Sequence, residues 1–181
     1  LSVSTPSNSL ILQAKGSLGN IGSKPRWAAQ VRRFSVSDAG MGFIAANLGH
    51  KVRIPAFITR LGSLTFVGNM GGYGSDFASK GIFETGAGTA NVALGIRRGH
   101  FSGRLETSGL NLRQIMDDEH WGVVSTRINV DGKIPNGTRN TLSGLDLNVK
   151  GIIQRFDYNG YSYRDLAVDG GLHKGIAEGR L

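Results

Sequence analysis

Between Phe156 and Tyr163 the chain reads FDYNGYSY, and this stretch restricts the possible folds more than any other. Asn159-Gly160 is the strongest short-range signal for a two-residue hairpin turn, because both central residues of such a turn take φ > 0. A turn there pairs Tyr158 with Tyr161 and Phe156 with Tyr163, so four aromatic rings share one face. Asp157 and Ser162 fall on the other face, since side chains alternate along a strand. The returning strand is expected to run through Leu166 and Val168 to a second turn pair, Asp169-Gly170. The unit is a β-hairpin with one greasy face and one wet one.

Much of the chain repeats that pattern. Leu64, Phe66 and Gly68 alternate with Thr65 and Val67; after a loop expected over residues 69–76, Phe77, Ser79, Gly81 and Phe83 share a face. Gly86-Ala87-Gly88 turns the chain, and Val92, Leu94 and Ile96 follow at period two. Residues 97–100 form another turn before Phe101, Gly103 and Leu105. Val124, Thr126, Ile128 and Val130 alternate up to Asp131-Gly132, and Leu145, Leu147 and Val149 lead into the terminal hairpin. The spacing predicts an antiparallel meander. Nearer the start, a strand at residues 10–16 is followed by a Gly-rich loop over residues 16–26. A strand follows in which the phase shift at Arg32-Arg33, between Val31 and Phe34, predicts a β-bulge. Val130-Asp-Gly132, Val149-Lys-Gly151 and Val168-Asp-Gly170 echo one another and read as repeated strand endings.

Helix is scarce. Residues 54–62 (IPAFITRLG) read as one short helix, with Pro55 early, Gly62 just past the end, and Ile54, Phe57, Ile58 and Leu61 on one stripe. Residues 110–116 read as another, trailed by Asp117-Asp118-Glu119. Residues 38–48 mimic a dinucleotide fingerprint at Gly40-x-Gly42-x-x-Ala45, but no acid follows until Asp76, where a ribose partner would be needed some twenty residues on. A helical turn joining two strands is the better reading.

The length of 181 residues fits a single domain, and 28 Gly with only 4 Pro suit many turns and close strand approaches. Without Cys there is neither a disulfide nor a thiolate metal site. His50, His100, His120 and His173 have no partner at metal-ligand spacing, and the acidic run at 117–119 lacks the spaced ligands and glycines of a cation loop. No phosphate-binding glycine loop, nucleophile elbow or placed carboxylate pair is present. No metal, no cofactor and no enzymatic activity are expected. The net charge of +8 is uneven: residues 1–75 hold eight Lys/Arg against Asp38, while the remainder is nearly neutral. The aromatic hairpin lies in the neutral part, so nucleic-acid binding is not expected. No apolar run is long enough for a membrane-spanning helix. The start at Leu1, with no leader, is read as a piece of a longer protein.

An apolar face of this extent must be covered, since each large side chain buried is worth about 1.5–3 kcal/mol. A second sheet, a closed barrel, or a sheet curled into a trough would each serve, and the spacing leaves all three open. Here the stretch from IPAFITRLG through GIFETGAGTANVALGI, then FSGRLETSGLNLRQIM and FDYNGYSYRDLAVDGG, resembles the TamB (translocation and assembly module) family of the AsmA-like group, well over residues 54–181 and loosely over 1–53.

The resemblance implies an all-β fold with one to three short helices, a curled, antiparallel-rich sheet forming an open β-trough, or β-taco. Residues 1–181 would be a single domain, one segment of a longer trough. It implies a periplasmic protein, its parent anchored in the inner membrane, that conducts phospholipid between the membranes. In some members the partner is an Omp85-type outer-membrane barrel (TamA- or BamA-like), engaged as a scaffold during outer-membrane protein assembly. The residues that would line the trough are Leu64, Phe66, Phe77, Phe83, Val92, Leu94, Ile96, Phe101, Leu105, Val124, Ile128, Val130, Leu145, Leu147, Val149, Phe156, Tyr158, Tyr161, Tyr163 and Val168.

Overall fold

The structure, a computed structural model, describes residues 1–5, 7, 9–20, 22, 24–41, 59–133, 146–173 and 176–180. Its strands are β1 (Ser2–Ser4), β2 (Leu10–Gly19), β3 (Arg26–Val36), β4 (Leu64–Tyr73), β5 (Asp76–Thr85), β6 (Gly88–Arg97), β7 (His100–Asn111), β8 (Trp121–Lys133), β9 (Asp146–Tyr158), β10 (Tyr161–His173) and β11 (Ile176–Arg180). They form one open, curled antiparallel sheet of 11 strands whose spatial order is the chain order, with β1 and β11 at free edges. Neither a barrel nor a second sheet exists among the described residues, so two of the three ways to cover the apolar face are ruled out there.

Turn chemistry explains the connections. Asn159 and Gly160 take φ of 51° and 80°, and Arg98 and Gly99 take 51° and 78°, the double positive φ that a two-residue hairpin needs. The predicted cross-strand pairs Tyr158–Tyr161 and Phe156–Tyr163 form as expected. Helix α1 (Leu112–Met116) begins where the Asn111 side chain accepts from the Gln114 N–H at 3.3 Å and ends at Asp117, with φ 59°. It is tied to the β3–β4 connection: Gln114 Nε2 donates to the Arg60 carbonyl at 2.8 Å, and the Arg60 guanidinium pairs with Asp117 at 3.1 Å. Residues 38–41 open a helix, and Thr59 is helical with Gly62 at φ 74°; the rest of the predicted 38–48 and 54–62 helices lies outside the described residues, as does the Gly40-x-Gly42-x-x-Ala45 run beyond residue 41.

Three expectations are corrected. Strand β4 continues through Tyr73 and turns only at Gly74-Ser75; β10 runs through Asp169-Gly170; and β2 extends to Gly19 within the predicted Gly-rich loop, whereas β8 ends at Lys133, close to the expected Asp131-Gly132. Of the echoed Val-x-Gly triplets, Val130–Gly132 stands at a strand ending, one residue before the end of β8, whereas Val149–Gly151 and Val168–Gly170 lie inside β9 and β10. Gly72, Gly132 and Gly170 are not among the residues with positive φ. They are glycine because something lies where a Cβ would stand: the Trp27 indole at Gly72, the Phe101 ring at Gly132, and the Gly179 Cα at Gly170.

The expected bulge at Arg32-Arg33 is present, and comparable register shifts occur between Thr107 and Leu110, between Trp121 and Val124, and between Ile153 and Arg155. Each shift falls where strict alternation would have carried an apolar side chain to the polar face. The extra residue resets the phase, so the oily side stays on one side of the sheet.

Candidate functional site: the apolar face

The registers join the predicted lining residues into rows that cross the sheet. One row runs Phe77, Ile96, Phe101, Gly132, Leu147. A second runs Gly81, Val92, Leu105, Ile128, Gly151, Val168, and a third Ser79, Leu94, Gly103, Val130, Val149. Leu64 follows Val36 and precedes Thr85; Phe66 pairs with Phe83; Val124 pairs with Phe156 and so with Tyr163; Trp121 pairs with Tyr158 and so with Tyr161. All the predicted residues therefore share one face except Leu145, which lies outside the described residues.

Sequence reading missed part of that face. Leu12, Trp27, Val31, Phe34 and Val36 of β2 and β3 belong to it, as do Met70, Trp121, Ile153 and Leu166. The signal for β3 was present in the alternation on either side of Arg32-Arg33. Trp121 and Ile153 lie next to bulges, where period-two counting loses phase.

No charged residue occupies a paired position on this face among the described residues. Three of its threonine hydroxyls are turned back on the backbone: Thr85, Thr107 and Thr126 donate to the carbonyls of Gly88, Val124 and Ile152 at 2.8, 3.3 and 3.1 Å. To an approaching molecule the surface is hydrocarbon and ring. Burial along it is uneven. Val31, Val36 and Phe66 are closed off, Phe66 with 2 % exposure and its ring 4.7 Å from that of Phe83. Elsewhere the face is half-buried, as Leu94, Ile96, Leu105, Ile128 and Val149 are.

At the α1 end of β8–β10 the face becomes aromatic: the Trp121 ring lies 5.8 Å from Phe156 and 5.2 Å from Tyr158, and Phe156 lies 6.2 Å from Tyr163. Tyr158, Tyr161 and Tyr163 are exposed, Tyr161 by 68 %. Rings with a polar tip suit a boundary between oil and water.

The opposite face carries ion pairs, two across strands and one within β9. Arg127 reaches Glu106 at 2.6 Å, Lys150 reaches Asp169 at 3.1 Å, and Arg155 and Ser162 both donate to Asp157 at 2.7 Å. The hydrogen bonds from Arg127 hold the Glu106 carboxyl below its ordinary pKa, and those from Arg155 and then Ser162 do the same for Asp157. A cavity of about 600 Å³ opens on this polar side, at the rim opposite α1, above Ala28, Gly71, Ala78 and Gly95. Arg26, Tyr73, Asp76, Arg97 and His100 form its walls. Among the described residues no cluster of His, Asp and Glu could hold a metal ion, and no helix is long and apolar enough to cross a membrane. Comparison with protein-family models, curated proteins and solved structures finds no match for this chain.

Proposed function

We propose that this chain is a non-enzymatic segment of a periplasmic β-trough along which phospholipid acyl chains move between the inner and outer membranes. The observation that carries the reading is the apolar face itself: continuous over the sheet and, among the described residues, free of charge at every paired position and only half-buried, with no second layer on it. Single-layer apolar surface of this extent is unfavourable in water and calls for an apolar occupant. A strand of ten residues is about 33 Å long, ample for the acyl chains of one leaflet, about half of the roughly 30 Å hydrocarbon core. The resemblance to the TamB family points to the same occupant. A scaffold role beside an Omp85-type barrel belongs to the same family picture and would leave this face to be covered by protein.

Native mass spectrometry of the purified chain tests the proposal. Phospholipid should co-purify, and Leu94→Asp or Ile128→Asp should lose it while the circular dichroism stays that of a folded sheet. Lipid-free wild-type protein that remains folded and monomeric would refute the proposal.

A further inference from the structure

The two rims of the sheet, where the strands end and turn, carry opposite charge. At the α1 rim Asp38, Glu84, Asp117, Asp118 and Glu119 outnumber Arg60 and Arg113 among the described residues. At the other rim stand Lys24, Arg26, Arg97, Arg98 and Lys133, against Asp76 and Asp146. The placement follows from the turns: Gly74 lies against the Lys24 side chain, the Arg98 N–H donates to Asp76 at 3.0 Å, and Lys133 pairs with His100. Both carboxylates of this rim are engaged, Asp76 by Arg97 and the Arg98 N–H, Asp146 by His173. Lys24, Arg26, Lys133 and the Arg98 guanidinium make no ion pair among the described residues.

One residue inward, on the apolar face, this rim carries the row of Trp27, Phe77, Ile96 and Phe101, with the Trp27 and Phe77 rings 6.0 Å apart. The stripe of rings thus ends at turns that carry Lys24 and Arg98, while Arg26, Arg97, Lys133 and the cavity walled by Arg26, Arg97 and His100 stand on the polar side of the same rim.

We propose that this rim binds the phosphate headgroup of an anionic phospholipid whose acyl chains lie on the ring stripe. The inference rests on the trough reading above and specifies its cargo. Unpaired cations attract a phosphodiester. The carboxylates beside them are already engaged, Asp131 next to Lys133 by the Asn148 amide at 3.1 Å, so a headgroup with net negative charge is favoured. The cations are exposed, so the preference is expected to weaken with salt.

The test uses the full chain with two lipids of identical acyl chains, dioleoyl phosphatidylglycerol and dioleoyl phosphatidylcholine, and reads bound lipid by native mass spectrometry at low and high salt. The expected result is about a tenfold preference for phosphatidylglycerol at low salt, reduced at high salt. The double variant Lys24→Ala/Arg98→Ala, and separately Arg26→Ala, should lose most of the preference and keep phosphatidylcholine binding. Lys150→Ala, on the polar face away from the rim, should keep the preference. Glycerol phosphate, the headgroup without chains, should not displace the lipid; displacement would mean a free-phosphate site and overturn the proposal. Equal binding of both lipids, or a preference that survives the rim variants, also overturns it. Binding of neither lipid overturns the trough reading itself, so the two failures are distinguishable.

Discussion

Replacing Phe66 with Ala should separate the closed part of the apolar face from the open part. The Phe66 ring is 2 % exposed, stacks near Phe83 at 4.7 Å, and lies over Gly68 and Gly81. An aromatic side chain buries about 150–250 Å², which at about 25 cal/mol per Å² is about 4–6 kcal/mol as an upper bound. Measured losses for buried Phe→Ala of about 3–5 kcal/mol fit that figure. Leu94 stands two rows away and is half-buried, so Leu94→Ala should cost about half of a core Leu, about 1–2 kcal/mol. With a urea slope of about 2 kcal/mol/M, the midpoint should fall by about 1.5–2.5 M for Phe66→Ala and by about 0.5–1 M for Leu94→Ala. Urea titrations followed by circular dichroism at 25 °C supply both numbers. Equal losses at the two sites would refute the reasoning, because the face would then be uniformly closed or uniformly open.

Three further outcomes are expected. Gly81→Ala places a Cβ 2.5 Å from the buried Phe66 ring and should cost about 1–3 kcal/mol, whereas Gly95→Ala, whose nearest neighbour is the Ser102 carbonyl at 3.9 Å, should change the urea midpoint little. Gly160→Val puts a branched side chain at φ 80° and should cost about 1–2 kcal/mol of thermal stability, with the rest of the sheet unchanged by amide exchange. The pH dependence has a definite sign: Glu106, Asp118 and Asp157 are held below their ordinary pKa, chiefly by hydrogen bonds from Arg127, His120 and Arg155 respectively. Their contribution is complete above the ordinary carboxylate range and is lost as pH falls through the lowered values. Arg127→Gln should flatten the acid limb of a stability–pH curve and leave the neutral plateau nearly level, since exposed pairs contribute little.

The sheet was legible because it is built from local signals. Asn159-Gly160 and Arg98-Gly99 each announce a turn, and each turn fixes a register that period-two alternation then carries along both strands. Where glycine has a second use, the same reading broke down. Gly72, Gly132 and Gly170 look like turn residues in sequence, yet they are strand residues kept small for a neighbouring ring or backbone. Nothing in one dimension distinguishes a glycine needed for φ from a glycine needed for space.

Bulges hid Trp121 and Ile153 for a related reason: one inserted residue reverses the face that counting assigns. The rim charges were invisible. Lys24, Arg98 and Lys133 are far apart in the chain and share a rim only because successive hairpins return to the same side. By sequence the basic excess belonged to the first 75 residues; in three dimensions it is better described as belonging to one rim.

The chain's two tryptophans, Trp27 and Trp121, both stand on the apolar face, so the protein carries its own reporter of what covers it. Fluorescence of the lipid-loaded chain, measured with phospholipid brominated along the acyl chain against the same lipid unbrominated, reads acyl contact with that face directly. The account predicts strong quenching by the brominated lipid, relieved in Leu94→Asp. Lipid that binds yet leaves both indoles unquenched would place the acyl chains elsewhere and contradict it.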